Sequence, residues 1–128
     1  MEIPSPYYRL SVKAKIKIDG KILLVREDGK DWDLPGGGVE HNETIEDALR
    51  RELMEETGIT DFKIKKTPEI FKMIDKSANR PLLFLAFEVE AETLGAPTTD
   101  TEIRLFTKSD LPNDIVSYSK EYTGFIRE

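Results

Sequence analysis

The sequence predicts an α/β domain whose mixed β-sheet is flanked by helices on both faces. Three observations lead to this fold class. Apolar and polar residues alternate over residues 9–18, as in a half-buried strand. Residues 44–57 carry apolar side chains at helical spacing. Residues 82–89 are almost continuously apolar, as expected for a central strand that is covered on both faces.

The first predicted strand has an apolar face and a polar face. The apolar face consists of Leu10, Val12, Ala14, Ile16 and Ile18, and the polar face of Ser11, Lys13, Lys15 and Lys17. We expect the lysine row to be a solvated face of the sheet, with a phosphate-attracting surface as the alternative. The Asp19-Gly20 pair is typical of a two-residue hairpin turn, so residues 22–25 should form the return strand.

The central helix is predicted over residues 44–57, with a signal at each end. Thr44 can act as the N-cap, and Asp47 lies three residues later, as in a capping box. Gly58 fits the position after the last turn, where a left-handed residue ends a helix. The apolar stripe that should face the core consists of Ile45, Ala48, Leu49 and Leu53.

Three carboxylates accompany this stripe. Glu52 and Glu56 fall within it and Glu55 lies on its edge, at spacing i, i+3 and i+4. Acidic side chains beside a buried face repel one another and lose hydration, so their charge requires compensation. Mg²⁺ or Mn²⁺ would supply it, because these hard cations take oxygen ligands. The competing interpretation is an acidic, solvated helix face.

The second half of the chain predicts further strands. These are residues 62–67 and 69–74, separated by Pro68, then the apolar strand, a late strand at 103–106, loops at 77–81 and 94–100, and a helical tail from Asn113. No internal repeat or linker interrupts the chain, so we expect residues 1–128 to form one domain.

Composition narrows the class of protein. The 128 residues include no cysteine, which excludes a disulfide scaffold and a thiolate nucleophile. The net charge of −6 argues against a nucleic-acid polymer as partner. No apolar run reaches the length of a membrane helix and the first residues lack a signal-peptide pattern, so we expect a cytoplasmic protein without a membrane partner.

One motif carries most of the functional information. It reads Gly37-x5-Glu43-x7-Arg51-Glu52-Leu53-x-Glu55-Glu56-x-Gly58-Ile59. At every defined position it resembles the signature of the Nudix hydrolase family. The lead-in from Trp32 to Glu40 and the stretch from Glu102 to Pro112 are also similar to family members. This resemblance implies an α/β/α sandwich with the motif helix against one face of the sheet.

The resemblance also implies roles for individual residues. Glu52, Glu55 and Glu56 would ligate Mg²⁺ or Mn²⁺, together with the backbone carbonyl of Gly36 or Gly37. Glu43 and Arg51 would pair and hold the glycine loop against the helix. Glu52 and Glu102 are both candidates for the general base. The number of metal ions stays open.

Substrate contacts are expected around the glycine loop, from Arg26, Trp32, Gly37, Gly38 and Glu40. Arg26 ends the second strand and could clamp a phosphate. A surface arginine paired with an acid is the equal alternative. Trp32 could stack on a base or pack in the core.

The function implied by the resemblance is metal-dependent hydrolysis of a phosphoanhydride bond in a nucleoside diphosphate that is linked to another moiety. ADP-ribose, nucleotide sugars, dinucleotides and ordinary or oxidised nucleoside triphosphates all remain open as substrates. The alternative is a non-catalytic, nucleotide-binding regulatory module, and a structural metal site without turnover is a third interpretation. Homodimers are common among Nudix proteins, and a homodimer is our guess for this chain.

Overall fold

The computed structural model describes residues 7–75, 80–116, 118 and 120–128. The elements are β1 (Arg9–Ile18), β2 (Lys21–Arg26), β3 (Gly36–Gly38), α1 (Ile45–Thr57), β4 (Lys63–Ile64), β5 (Glu69–Asp75), β6 (Arg80–Glu90), β7 (Glu102–Phe106), a 3-10 turn (Lys108–Asp110) and α2 (Lys120–Arg127). Among these residues, no helix is long and apolar enough to span a membrane. The predicted loop at 77–81 lies partly outside the described residues, and its last two positions belong to β6.

The strands form one mixed sheet, as predicted. Its main order is β4-β6-β1-β2-β7, with β5 also paired to β6 and β3 also paired to β1. The central strands β1 and β6 run parallel, whereas β2 and β3 pair with β1 in antiparallel fashion. This topology brings the glycine strand β3 alongside the first half of β1, so that Gly36 lies opposite Lys13 and Gly38 opposite Ser11.

The predicted hairpin between β1 and β2 is present. Asp19 and Gly20 have φ angles of 52° and 74°. Positive φ at both central residues is the feature of the type I′ turn, whose twist matches that of antiparallel strands. The turn therefore follows directly from the local sequence.

Helices cover both faces of the sheet, which confirms the predicted α/β/α sandwich. On one face, Ala48, Leu49 and Leu53 of α1 pack against the apolar row of β1. On the other face, Tyr122, Phe125 and Ile126 of α2 join a core that includes Phe84 and Trp32. The second face is rich in aromatic contacts, such as the Phe71 and Tyr122 rings at 5.4 Å.

The expected solvated lysine face is wrong for most of its length, because α2 covers it. Ser11, Lys13 and Lys15 are all buried, and only Lys17 at the far end is exposed. The Lys15 ammonium donates a hydrogen bond of 2.7 Å to the carbonyl oxygen of Phe125 and lies 4.9 Å from the centre of the Phe125 ring. A cation at the carboxyl end of a helix stabilises it, so Lys15 fastens α2 to the sheet.

Lys13 belongs to a second buried polar contact, with Asp33 at its centre. Lys13 Nζ lies 2.9 Å from one carboxylate oxygen of Asp33. The other oxygen accepts hydrogen bonds from the Tyr122 hydroxyl at 2.8 Å and from the Leu34 amide at 2.7 Å. One carboxylate therefore links β1, the segment before β3 and α2.

We predict that Asp33→Ala lowers the free energy of unfolding by about 3 kcal/mol, because it leaves the buried Lys13 ammonium without its counter-ion. Urea unfolding measures this change. The matched control is Glu46→Ala, which removes an exposed ion pair with Arg50 at 3.1 Å and should cost under about 1 kcal/mol. Equal losses in the two variants would contradict the assignment.

Candidate active site

The helix that carries the motif begins and ends where the sequence predicts. The Thr44 hydroxyl accepts a hydrogen bond from the Asp47 amide at 3.1 Å, and the Asp47 carboxylate accepts one from the Thr44 amide at 3.3 Å. Gly58 ends the helix with a φ of 72°, in the left-handed region. These caps fix the register in which the helix presents its glutamates.

Arg51 is the centre of the hydrogen-bond network, and the predicted pair with Glu43 is present. Its guanidinium donates to both Glu43 oxygens, at 2.6 and 3.0 Å. It also donates to the Gly38 carbonyl at 3.0 Å and to Glu52 at 3.0 Å. A single side chain thus joins α1, the end of the glycine strand and the loop between them.

These contacts change the charge behaviour of both partners. Hydrogen bonds from Arg51 and from the Glu40 amide lower the pKa of Glu43 to about 2. The same bond to Glu43 raises the pKa of Arg51 further above its usual value. The ion pair therefore stays charged across the physiological pH range and supports the loop throughout it.

The glycine strand lets two carboxylates approach the backbone. The Gly36 amide donates a hydrogen bond of 2.9 Å to Glu56. Gly36 has a φ of 150°, and a β-carbon there would overlap the carbonyl oxygen of Val12. At Gly37 a β-carbon would lie 2.5 Å from a Glu52 oxygen. A larger residue at Gly37 would therefore push Glu52 away, and one at Gly36 would push β3 away from β1.

Glu56 is the most perturbed acid of the site. Its pKa is raised to about 8, chiefly by burial and also by a hydrogen bond with the neighbouring Glu52 and charge repulsion from it. The Gly36 amide and the Lys13 ammonium oppose this shift but do not overcome it. In the metal-free protein Glu56 therefore holds a proton at neutral pH, and Glu52 and Glu56 avoid facing each other as two anions.

The donor set has the chemistry that a hard divalent cation requires. Carboxylate oxygens of Glu52, Glu55 and Glu56, with carbonyls of Gly36 or Gly37, could hold Mg²⁺ or Mn²⁺. Within the described part of the chain, no three acidic or histidine side chains converge tightly enough to ligate an ion as they stand. The Arg51 nitrogen that lies 3.0 Å from Glu52 also lies 3.5 Å from Glu55, so both carboxylates are beside the same guanidinium. A bound cation would stabilise the ionised form of Glu56, which burial and the neighbouring Glu52 disfavour.

Both Arg26 and Trp32 have partners within the protein, although Arg26 also lines the cavity that contains Glu56. The Arg26 guanidinium donates to one oxygen of Glu102, at 2.8 and 3.2 Å, so the acid-paired interpretation describes this arginine. Trp32 is 3% exposed and packs edge-on against Phe106, with Arg26 lying 4.3 Å from its ring centre. The stacking interpretation is therefore corrected: the ring has no open face in this position, because the core and Arg26 cover it.

Glu102, the second base candidate, has its ion pairs with arginines of the sheet. It opens β7 and is held there by Arg26 and, at 3.7 Å, by Arg104. It lines a cavity of about 540 Å³ with Arg26 and several acids, whereas Glu52 and Glu56 line two other cavities. Among the described residues, no hydrogen bond or ion pair joins Glu102 to α1.

Two cavities flank the glycine strand. A cleft of about 910 Å³ includes Gly38, Glu40, Arg51 and Glu52 in its lining, with Tyr7, Tyr8, Arg9 and Arg80 around its outer part. A smaller cavity of about 200 Å³ includes Gly36, Glu56, Lys13 and Asp33. The motif did not point to Arg9, Arg80 or Lys13. Lys13 reaches the site through the pairing of β1 with β3, a contact that no local pattern in the sequence predicts.

We predict a specific pH dependence for the metal-free protein. Between pH 4.5 and about 8 the folded state keeps a proton on Glu56 that the unfolded chain has lost, so stability falls as pH rises through this range. Glu56→Gln removes that titration. In EDTA the variant should match wild type near the acid end of the range and unfold at a higher temperature near the alkaline end.

Thermal unfolding across this pH range provides the measurement. Groups that titrate in both proteins cancel in the difference, so the comparison isolates Glu56. Parallel curves for wild type and Glu56→Gln would show that Glu56 is already ionised without a metal.

The chain is similar to known proteins of one family. A family model described as the NUDIX domain matches residues 9–123. An ADP-ribose pyrophosphatase of Methanocaldococcus jannaschii is 29% identical over 94% of this chain and 78% of its own length. An RNA pyrophosphohydrolase of Halorhodospira halophila is 55% identical over a shorter stretch, which covers 32% of this chain and 23% of that protein.

Solved structures show the same fold. A NUDIX-family hydrolase from Clostridium perfringens superposes with a TM-score of 0.76 at 18% identity, covering 94% of this chain and 95% of its own. A MutT NUDIX hydrolase from Burkholderia pseudomallei has a TM-score of 0.69 at 23% identity, with 92% and 97% of the two chains covered. The family match contains the whole segment whose glycines, arginine and glutamates form the site, and the chain belongs to the Nudix family of hydrolases.

Proposed function

We propose that this Nudix hydrolase cleaves a phosphoanhydride bond in a nucleoside diphosphate linked to another moiety, with Mg²⁺ or Mn²⁺ as its cofactor. The observation that carries the proposal is the placement of Glu52 and Glu56 against the glycine backbone, where the charge of Glu56 is suppressed. Such an arrangement costs stability unless a cation binds there, and a cation is what a diphosphate substrate needs.

Different residues would bind the cation and position its ligands. Glu52, Glu55 and Glu56 and a glycine carbonyl would hold the cation, which neutralises the diphosphate and stabilises charge on the leaving phosphate. Arg51 orients Glu52 through its 3.0 Å hydrogen bond, and its bonds to Glu43 and Gly38 keep the glycine strand in place.

Between the two base candidates, the geometry favours Glu52. Glu52 lies at the glycine strand within the carboxylate cluster, and the hydrogen bond from Arg51 orients its carboxylate, which could accept a proton from the attacking water. Glu102 would first have to leave Arg26. The alternative of a non-catalytic binding module is disfavoured because every acid of the motif is retained.

The two cavities suggest a substrate with a group on each side of the diphosphate. One opens beside Glu52 and the other beside Glu56, so a diphosphate at the glutamates would direct its two substituents into different spaces. ADP-ribose has this form and is the first substrate to test, since an ADP-ribose pyrophosphatase aligns with nearly the whole chain. Nucleotide sugars and dinucleoside polyphosphates have the same form.

We predict metal-dependent turnover of at least one substrate with two bulky groups. The panel contains ADP-ribose, nucleotide sugars, dinucleoside polyphosphates, ordinary and oxidised nucleoside triphosphates and a 5′-triphosphate RNA, each with Mg²⁺, Mn²⁺ or EDTA. Phosphate is released from the products by a phosphatase or, for triphosphates, by a pyrophosphatase. Turnover confined to triphosphates would contradict the two-cavity argument. No metal-dependent turnover by folded protein would favour the binding module.

We predict that Glu55→Gln folds normally but loses at least about 10²-fold in kcat, because the amide cannot replace an anionic ligand. Its control is Glu46→Gln, an exposed acid that pairs with Arg50 on the same helix. Steady-state kinetics on the best substrate, with thermal unfolding as the folding check, measures both variants. Wild-type turnover by Glu55→Gln would remove Glu55 from the metal site.

A further inference from the structure

The loop between β6 and β7 is fastened to the last turn of α1. The carbonyl oxygen of Glu55 accepts hydrogen bonds from the Thr98 amide at 2.8 Å, the Thr99 amide at 3.2 Å and the Thr99 hydroxyl at 3.1 Å. The Gly95 amide donates to the carbonyl of Thr57 at 3.1 Å. A segment some forty residues away in sequence therefore closes the end of the motif helix.

These bonds satisfy carbonyl groups at the carboxyl end of the helix. The last carbonyls of a helix lack partners within the helix. Here the Gly58 amide bonds to Met54 and the Thr57 hydroxyl to Leu53, while Glu55 and Thr57 depend on the loop. The last turn contains no basic residue that could serve instead. The loop is thus a structural part of the turn that carries Glu55 and Glu56.

Two glycines make this contact close. A β-carbon on Gly95 would overlap the carbonyl oxygen of Gly58, and one on Gly58 would overlap the backbone of Gly95 and Ala96. Gly58 also has a positive φ, whereas Gly95 does not. Backbone conformation therefore does not demand a glycine at 95; the packing against α1 does.

The loop also leads directly into β7. The hydroxyls of Thr99 and Thr101 lie 2.7 Å apart, and β7 begins at the next residue. One side of the loop is thus bonded to the helix end and the other continues into the sheet, so the loop connects the last helical turn to β7.

We infer that Gly95 and Thr99 are positioning residues for the metal site: they hold the last turn of α1 so that Glu55 and Glu56 can reach a cation at the glycine strand. This inference rests on the proposed function. It follows from where the bonds fall, because they attach to the backbone of Glu55 itself. A shift of this turn would carry two of the three proposed ligands away from Gly36 and Gly37.

The test compares Gly95→Ala, Thr99→Val and Thr99→Ser with wild type. Mn²⁺ is the probe, and its dissociation constant is obtained from the electron paramagnetic resonance signal of free Mn²⁺. Gly95→Ala should weaken Mn²⁺ binding about tenfold, as outer residues of metal sites commonly do when changed. Thr99→Val should weaken it in the same direction but less, and Thr99→Ser, which keeps the hydroxyl, should restore it. If a substrate is found, Gly95→Ala and Thr99→Val should lower kcat at saturating metal by a larger factor than they change the KM for the substrate.

The matched control is Gly124→Ala. Gly124 lies in α2 with no atom near the position of an added β-carbon, so this variant should bind Mn²⁺ like wild type. If Gly95→Ala does not fold, Thr99→Val and Thr99→Ser are sufficient to test the positioning role. Both variants keep the backbone hydrogen bonds to Glu55, so we expect them to fold.

The outcomes separate this inference from the proposed function. Wild-type Mn²⁺ affinity in folded Thr99→Val, with or without a lower melting temperature, would overturn the positioning role. Equal affinities for the valine and serine variants would do the same, and so would a wild-type protein that does not bind Mn²⁺. A wild type that binds Mn²⁺ without hydrolysing any substrate would refute the proposed function alone. The Mn²⁺ dissociation constants of the variants would still test the positioning role of the loop.

Discussion

The interaction on which the site depends is the bidentate pair between Arg51 and Glu43. Glu43 comes from the loop after the glycine strand, and the same guanidinium reaches the Gly38 carbonyl and Glu52. A planar guanidinium can make these bonds at once, whereas an ammonium group has neither the fork geometry nor enough donors. This pair, together with the pairing of β3 with β1, holds the glycine backbone beside Glu52 and Glu56.

Charge is distributed unevenly around that pair. Glu43 is satisfied by Arg51 and remains ionised well below neutral pH, while Glu56, one turn further along α1 from Glu52, retains its proton. The difference arises because Glu56 is buried beside another carboxyl, and Lys13 offsets this only in part. The protein thus keeps an acidic cluster that is poorly compensated by its own cations, which is a cost to stability that a functional site commonly carries.

The two helices contribute in different ways. Helix α1 supplies the glutamates and is held at its start by a capping box and at its end by the loop around Gly95. Helix α2 supplies no proposed ligand, but it buries Lys13 and Lys15 and places Tyr122 on Asp33. The contacts of α2 therefore fix the positions of β1 and of the segment before the glycine strand.

The sequence by itself determined the elements whose causes are local. The Asp19-Gly20 turn, the caps of α1 and the spacing of Arg51, Glu52 and Glu56 each depend on residues within a few positions of one another, and the structure contains them as predicted. The tertiary structure alone decided that Lys13 and Lys15 of β1 are buried, that Arg26 is paired with Glu102, and that Thr98 and Thr99 close the end of α1. Each of these contacts joins segments distant in the chain, and their partners are selected by packing against the whole fold rather than by any pattern within a segment.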